Sequence, residues 1–401
     1  MFWMRLKLRP GSLHAAIVRG PPWRTLLSLR TNETAMHAMN SNAFGPLGAM
    51  ALKQMDRTRQ ARGLMMERAG YGPRTTPSTT AHREPGLHLR RYGPQAAEGP
   101  SVLLVPAPIK RAYIWDLAPE VSVVRRWMER GYRVYLAEWE PLDEAGQAAG
   151  FDLADYAGRL LRACREAMRA DGSTGKPAIA GHSLGGVLAA IHSCLHPDEL
   201  RATILLESPL HFDPAFCCFN RLVQATPDAR EVAGSFGQVP GAFLNTMSAL
   251  AKPQAFQWER WTDRWLSLGD PKALATHLQV ERWTHDEFAL PGRLFGDIVE
   301  SLYRRDEFMR GELHIGGRRI GPQTLRTPLL SVVDPRSKLI PPAAVLPFHE
   351  AAASPRKLVL HYGGDVGVNL QHVGVLVGRS AHARIWPAVF DWLDGIENRP
   401  G

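Results

Sequence analysis

Cysteine is scarce in this sequence. Its four cysteines in 401 residues, Cys164, Cys194, Cys217 and Cys218, form no disulfide framework and no metal-ligand spacing, because the adjacent pair is not a Cys-x-x-Cys. Such usage fits a reducing compartment, and the chain is expected in the cytoplasm. Long apolar runs are missing as well. None reaches the roughly 18 residues that a membrane-crossing helix needs, and Arg and Pro interrupt any apolar signal region at the N-terminus. There is no His-Glu-x-x-His, no dinucleotide-type Gly-x-Gly-x-x-Gly and no P-loop, so no metal or redox cofactor is expected. No block of Lys and Arg interleaved with aromatics occurs either, so the net charge of +9 is not read as a nucleic-acid footprint. Part of that excess sits at the N-terminus, where Arg5, Lys7, Arg9, Arg19, Arg24 and Arg30 face only Glu33.

What is present is ordinary for a globular enzyme: 45% hydrophobic and 22% charged residues. Residues 1–43 read as a disordered leader, with Met36 or Met39 as alternative starts and a transit peptide as the rival reading. Phe44 to Ala69 reads as a helix, and Thr75 to Glu84 as a polar linker. Strands follow at Leu87–Tyr92, Ser101–Val105, Tyr132–Trp139, Pro177–Ala180, Ala202–Glu207, Leu329–Asp334 and Lys357–His361. Helices fall at Ser122–Arg130, Leu153–Arg169, Leu184–Cys194 and Ala381–Ile396. Strands alternating with helices predict an α/β fold with a mostly parallel sheet covered on both faces. From Ser208 to Thr327 no comparable strand appears. That segment is helical in pattern and carries Trp258, Trp261, Trp265 and Trp283, expected mainly as core. The division is therefore 1–75 leader and helix, 76–207 first part of the core, 208–327 helical cap insertion, and 328–401 second part of the core.

The centre of the chain is Gly181-His182-Ser183-Leu184-Gly185-Gly186. A Gly-x-Ser-x-Gly box between a strand and a helix holds its serine on a strained turn with the hydroxyl exposed, and small residues on either side let strand and helix pass closely. Ser183 is therefore the candidate nucleophile. A serine hydroxyl needs a base, and the base needs a third group to fix its tautomer. With this elbow the expected order is serine, acid, histidine. His372 follows the last strand in a Gly-, Val- and Asn-rich loop and is the expected base, ahead of His361 and His382. His182, beside the nucleophile, is expected to point away from the reacting face. For the acid, Asp334 at the end of its strand is preferred, with Glu207 at the previous strand end and Asp365 in a loop as alternatives. An oxyanion hole needs two backbone N–H groups. One is expected from Leu184. The other is expected from Ile109 or Ala107 in PAPIKRAYIWDL, because Pro106 and Pro108 have no N–H.

Four stretches together resemble the polyhydroxyalkanoate (PHA) synthase family, particularly its shorter catalytic subunits. They are VPAPIKRAYIWDL, GHSLGG, the run from Glu281 to Ile320, and HVGVLVG from His372. The resemblance implies an α/β-hydrolase fold, a capped site and a covalent hydroxyacyl-enzyme. It also implies Ser183 as nucleophile, His372 as base and Ile109 as an oxyanion donor. The chain departs from the family in two places. The family's nucleophile is cysteine, and here it is Ser183. Aligned without gaps, the family's aspartate falls on Ser337 rather than Asp334.

A serine ester intermediate is what hydrolases use. The leading expectation is thus a serine hydrolase of hydroxyacyl or related esters, with a polyester depolymerase as one form. The alternative is an acyltransferase, up to a PHA synthase using hydroxyacyl-CoA. A third reading is a non-catalytic relative that binds granules or a partner. Expected partners are an ester, acyl-CoA or polyester substrate, with a second copy, a second subunit or a granule surface as candidates.

Overall fold

The structure is a computed structural model. It describes residues 46–94, 99–143, 146, 150–253 and 257–397; the leader and both alternative starts lie outside them. Eight strands form one sheet: β1 (Ser78–Glu84), β2 (Leu87–Tyr92), β3 (Ser101–Val105), β4 (Arg133–Trp139), β5 (Ala178–His182), β6 (Ala202–Leu206), β7 (Leu329–Val333) and β8 (Lys357–His361). Their order is β1-β2-β4-β3-β5-β6-β7-β8. The β1–β2 and β2–β4 pairs are antiparallel and the remaining pairs parallel.

The central strands read as continuous apolar runs because both of their faces are buried. Leu103, Val105, Ile179 and Leu205 face one core. Their neighbours Val102, Leu104, Ala180 and Ile204 face the other. Helix α1 (Pro46–Met66) precedes the sheet. Helix α2 (Val123–Glu129) packs on the second core through Val123, Val124 and Trp127, and Ser122 caps it by accepting the Arg125 N–H at 3.0 Å. Helices α3 (Leu161–Ala170) and α4 (Leu184–Leu195) bury Cys164, Met168, Leu188 and Ile191 in the first core.

Two expectations fail here. The segment expected as a polar linker contains β1, which pairs with β2 over its whole length. Its alternation is hidden by an irregular register between Thr80 and His82, and its residues are all exposed or half-buried. The tryptophans expected as core divide instead. Trp283 is buried, but Trp258, Trp261 and Trp265 are 72%, 66% and 64% exposed.

Between β6 and β7 the chain leaves the sheet, and no described residue of this stretch rejoins it. Its main helices are α5 (Gly241–Ala251), α6 (Glu259–Ser267) and α7 (Pro271–Thr284). Helix α1 clamps the stretch from outside. Asp56 accepts the Ala242 N–H at 2.6 Å at the start of α5, where Pro240 offers no side-chain cap. Arg59 reaches Glu287 at 2.9 Å, and Arg62 reaches Glu281 at 3.0 Å. The closing helix α8 (Trp386–Glu397) covers the second core with Trp386, Val389, Phe390 and Leu393.

Candidate active site

The site lies at the carboxyl ends of three adjacent strands. His182 is paired with Leu206, so β5 and β6 end level, and the Ser183 N–H donates to the Leu206 carbonyl at 3.0 Å. The Glu207 N–H donates to Val332 at 2.9 Å, which sets it level with the end of β7. Ser183, Glu207 and Asp334 therefore emerge side by side.

Ser183 has φ 56° and ψ −130°, a left-handed conformation that a serine adopts only under constraint. The neighbouring glycines supply the constraint. A Cβ on Gly181 would strike Gly185 and Gly186, one on Gly185 would strike Val105 and Pro106, and one on Gly186 would strike Ser208. Strand and helix thus touch backbone to backbone, and the turn between them cannot relax. Ser183 opens into a cavity of about 260 Å³ that His372, Leu184, Ile109 and Ala107 also line. Trp139 Nε1 donates to the Pro106 carbonyl at 2.8 Å and steadies the loop before Ile109. Trp283 Nε1 does the same from the insertion, donating to Arg111 at 2.8 Å.

His372 follows β8 as expected, and its Nδ1 lies 3.1 Å from Glu207 Oε2. Asp334 was the preferred partner, and the structure corrects that choice. Its Oδ1 accepts the Arg336 N–H at 2.8 Å, in the turn that leads away from the sheet. The histidine loop instead brings the ring to the end of β6, where Glu207, itself at φ 44°, meets its Nδ1. Asp365 is committed elsewhere, accepting from Tyr362 Oη at 3.0 Å and from Ser380 Oγ at 2.6 Å. Ser337 accepts the Ile340 N–H at 3.1 Å.

His361 ends β8 exposed. His382 is buried, donating from Nε2 to Leu376 at 2.8 Å and accepting from Arg126 on Nδ1 at 3.3 Å. His182 departs from expectation. Its ring lies 4.6 Å from that of His372, and its Nε2 donates to the His372 carbonyl at 2.8 Å. It thus holds the backbone of the residue whose ring faces the cavity. No local pattern signals this contact, because it joins residues 190 positions apart.

Burial sets the electrostatics. It pulls His372 down to about 4, so the ring is neutral and able to accept a proton. Burial, and next the charge of Asp334, push Glu207 well above the usual carboxyl range. Glu207 Oε1 has no hydrogen-bond partner, which leaves the carboxyl dependent on the histidine. Among the described residues no group of three or more His, Cys, Asp or Glu side chains is arranged to hold a metal ion.

No family model matches the chain. A poly(3-hydroxyalkanoate) polymerase subunit of Haloferax mediterranei is 27% identical over 79% of this chain and 64% of its own length. The corresponding subunit of Allochromatium vinosum is 25% identical over 80% of this chain and 88% of its own. The chain resembles poly(3-hydroxyalkanoate) synthases. It spans just under two thirds of the Haloferax relative. Among solved structures, BpoC of Mycobacterium tuberculosis H37Rv superposes with a TM-score of 0.50 at 15% identity, over 79% of this chain and 98% of its own. That likeness speaks for the fold alone, which is the α/β-hydrolase fold with its helical insertion between late strands. No described helix is long and apolar enough to cross a membrane.

Proposed function

We propose that the chain is a serine-nucleophile enzyme that forms an acyl-enzyme from hydroxyacyl or related esters and releases it to water. The observation that carries this reading is the Glu207–His372 pair at 3.1 Å, with His372 on the wall of the cavity into which strained Ser183 opens. With its Nδ1 proton held by Glu207, His372 offers Nε2 as the base. Ser183 Oγ attacks the ester carbonyl carbon and gives its proton to Nε2. The charge that develops on the carbonyl oxygen is met by the Leu184 and Ile109 N–H groups. Collapse breaks the bond to the leaving oxygen, which takes the proton from Nε2. Water, activated by the same nitrogen, then cleaves the Ser183 ester. Residues 208–327 act as a cap, whose Phe243, Leu244, Met247 and Phe295 wall the acyl path.

A second reading, transfer of the acyl group to a hydroxyl from hydroxyacyl-CoA, is favoured by the similarity to polymerase subunits. The two are separated by giving purified protein a short p-nitrophenyl ester and a hydroxyacyl-CoA, and by labelling with a fluorophosphonate. Hydrolysis of the ester, with labelling at Ser183 that Ser183→Ala abolishes, supports the first reading. Chain growth from the thioester supports the second. Labelling at another residue overturns both.

A further inference from the structure

The cavity beside Ser183 is mostly apolar, but one part of its wall is not. Lys110, Arg260, Thr284 and Glu287 meet there. Lys110 is neutralised, with Nζ 2.5 Å from Glu287 Oε1 and 2.8 Å from the Thr284 carbonyl. Glu287 Oε2 lies 2.9 Å from Arg59, and Glu281 Oε1 lies 3.0 Å from Arg62. Asp56, also near Arg59, spends its carboxylate on the start of α5.

Arg260 has no such partner. Among the described residues its guanidinium makes one side-chain hydrogen bond, from Nη2 to Thr284 Oγ1 at 3.2 Å, and no ion pair. Four cations, Arg59, Arg62, Lys110 and Arg260, thus share three carboxylates, Asp56, Glu281 and Glu287. The surplus sign is felt locally. His285 is pushed down to about 3, first by burial and then by Arg59, Arg62, Arg260 and Lys110. Burial also lowers Arg260 from its ordinary value. A half-buried guanidinium without an ion-pair partner is only partly compensated by the more distant Glu281 and Glu287, and an anion seated against it completes that compensation.

We propose that Arg260 is the receptor for a carboxylate on the substrate, so that the favoured ester carries a free acid, as the carboxyl end of a hydroxyacid oligoester does. The proposal rests on the reading of Ser183 given above. One carboxylate balances the one surplus cation, whereas a phosphate dianion would overbalance it. The planar fork of arginine also suits two carboxylate oxygens better than the point charge of a lysine would.

The test uses a 3-hydroxyacid dimer and its methyl ester as matched substrates, with the full chain. The wild type is expected to favour the free acid in kcat/KM by about tenfold, the scale of one charge-assisted hydrogen bond. In Arg260→Gln that ratio should collapse toward one through a raised KM for the acid, and Arg260→Lys should keep part of it. The wild-type preference should also shrink as salt is raised. Equal kcat/KM for acid and methyl ester in the wild type, or a preference that survives Arg260→Gln, overturns the proposal. Free coenzyme A is added as a competitor. Inhibition of the wild type that Arg260→Gln relieves would assign the anion to phosphate and likewise overturn it. If neither dimer is hydrolysed, the hydrolase reading of Ser183 fails. Calorimetric binding of the monomeric 3-hydroxy acid to wild type, weakened about tenfold in Arg260→Gln, then decides the receptor by itself; equal binding refutes it.

Discussion

Asp263, on α6 of the insertion, accepts the N–H of Asn369 at 2.7 Å in the loop that leads to His372. The same carboxylate accepts the Gly367 N–H at 2.8 Å and the His277 Nδ1–H at 2.7 Å. Asn369 Nδ2 lies 3.1 Å from His277 Nε2 and donates to it, which assigns the ring proton to Nδ1. Asn369 itself stands at φ 60°. Three donors satisfy one buried carboxylate, and together they tie the insertion to the loop of the expected base.

That tie predicts a coupling. Asp263→Asn leaves one acceptor oxygen for three donors, so the loop should loosen while the sheet persists. Amide exchange at Gly367 and Asn369 should accelerate. Ester turnover should fall by about tenfold, the cost of one such hydrogen bond, with Ser183 still reactive toward a fluorophosphonate. Unchanged exchange at both amides would show that the loop holds itself.

The two carboxylates at the ends of β6 and β7 should behave differently. Glu207→Gln should lower kcat by about 10³–10⁴, the scale on which triad carboxylates act, whereas Ser337→Ala should change little. Asp334→Asn is expected to act through pH. The charge of Asp334, after burial, helps hold the Glu207 carboxyl high, so Glu207 takes up a proton as pH falls and loses its hold on the His372 N–H. Removing that charge lets Glu207 ionise more readily. The acid limb of kcat/KM should therefore move to lower pH in Asp334→Asn. A limb that stays in place, or moves up, would remove Asp334 from the electrostatics of the site.

The elbow predicts a stability effect without chemistry. In Gly185→Ala the new methyl meets the Val105 and Pro106 backbone, which cannot swing aside as a side chain could. Thermal and denaturant unfolding should report a loss of about 3 kcal/mol or more, at the upper end of overpacking costs. A neutral result would mean that α4 can shift away from β3.

The elbow and the sheet were legible in the sequence because their signals are local. Gly181 to Gly186 sit on consecutive residues whose spacing is itself the turn, and buried parallel strands such as Leu103 and Ile179 lie in unbroken apolar runs. His372 could be located by chain order after the last strand. The partner of His372 could not be found this way. Glu207 and Asp334 both end strands of the same sheet, level with one another, and no periodicity tells which carboxylate a loop 165 positions away will reach. That depends on where the histidine loop lies, which His182, Asp263 and the register of β6 against β7 decide together. Exposure of Trp258, Trp261 and Trp265 is a tertiary outcome too. Helix α6 turns Asp263 inward, where three backbone and ring donors compensate its burial, and leaves Trp261 and Trp265 to solvent.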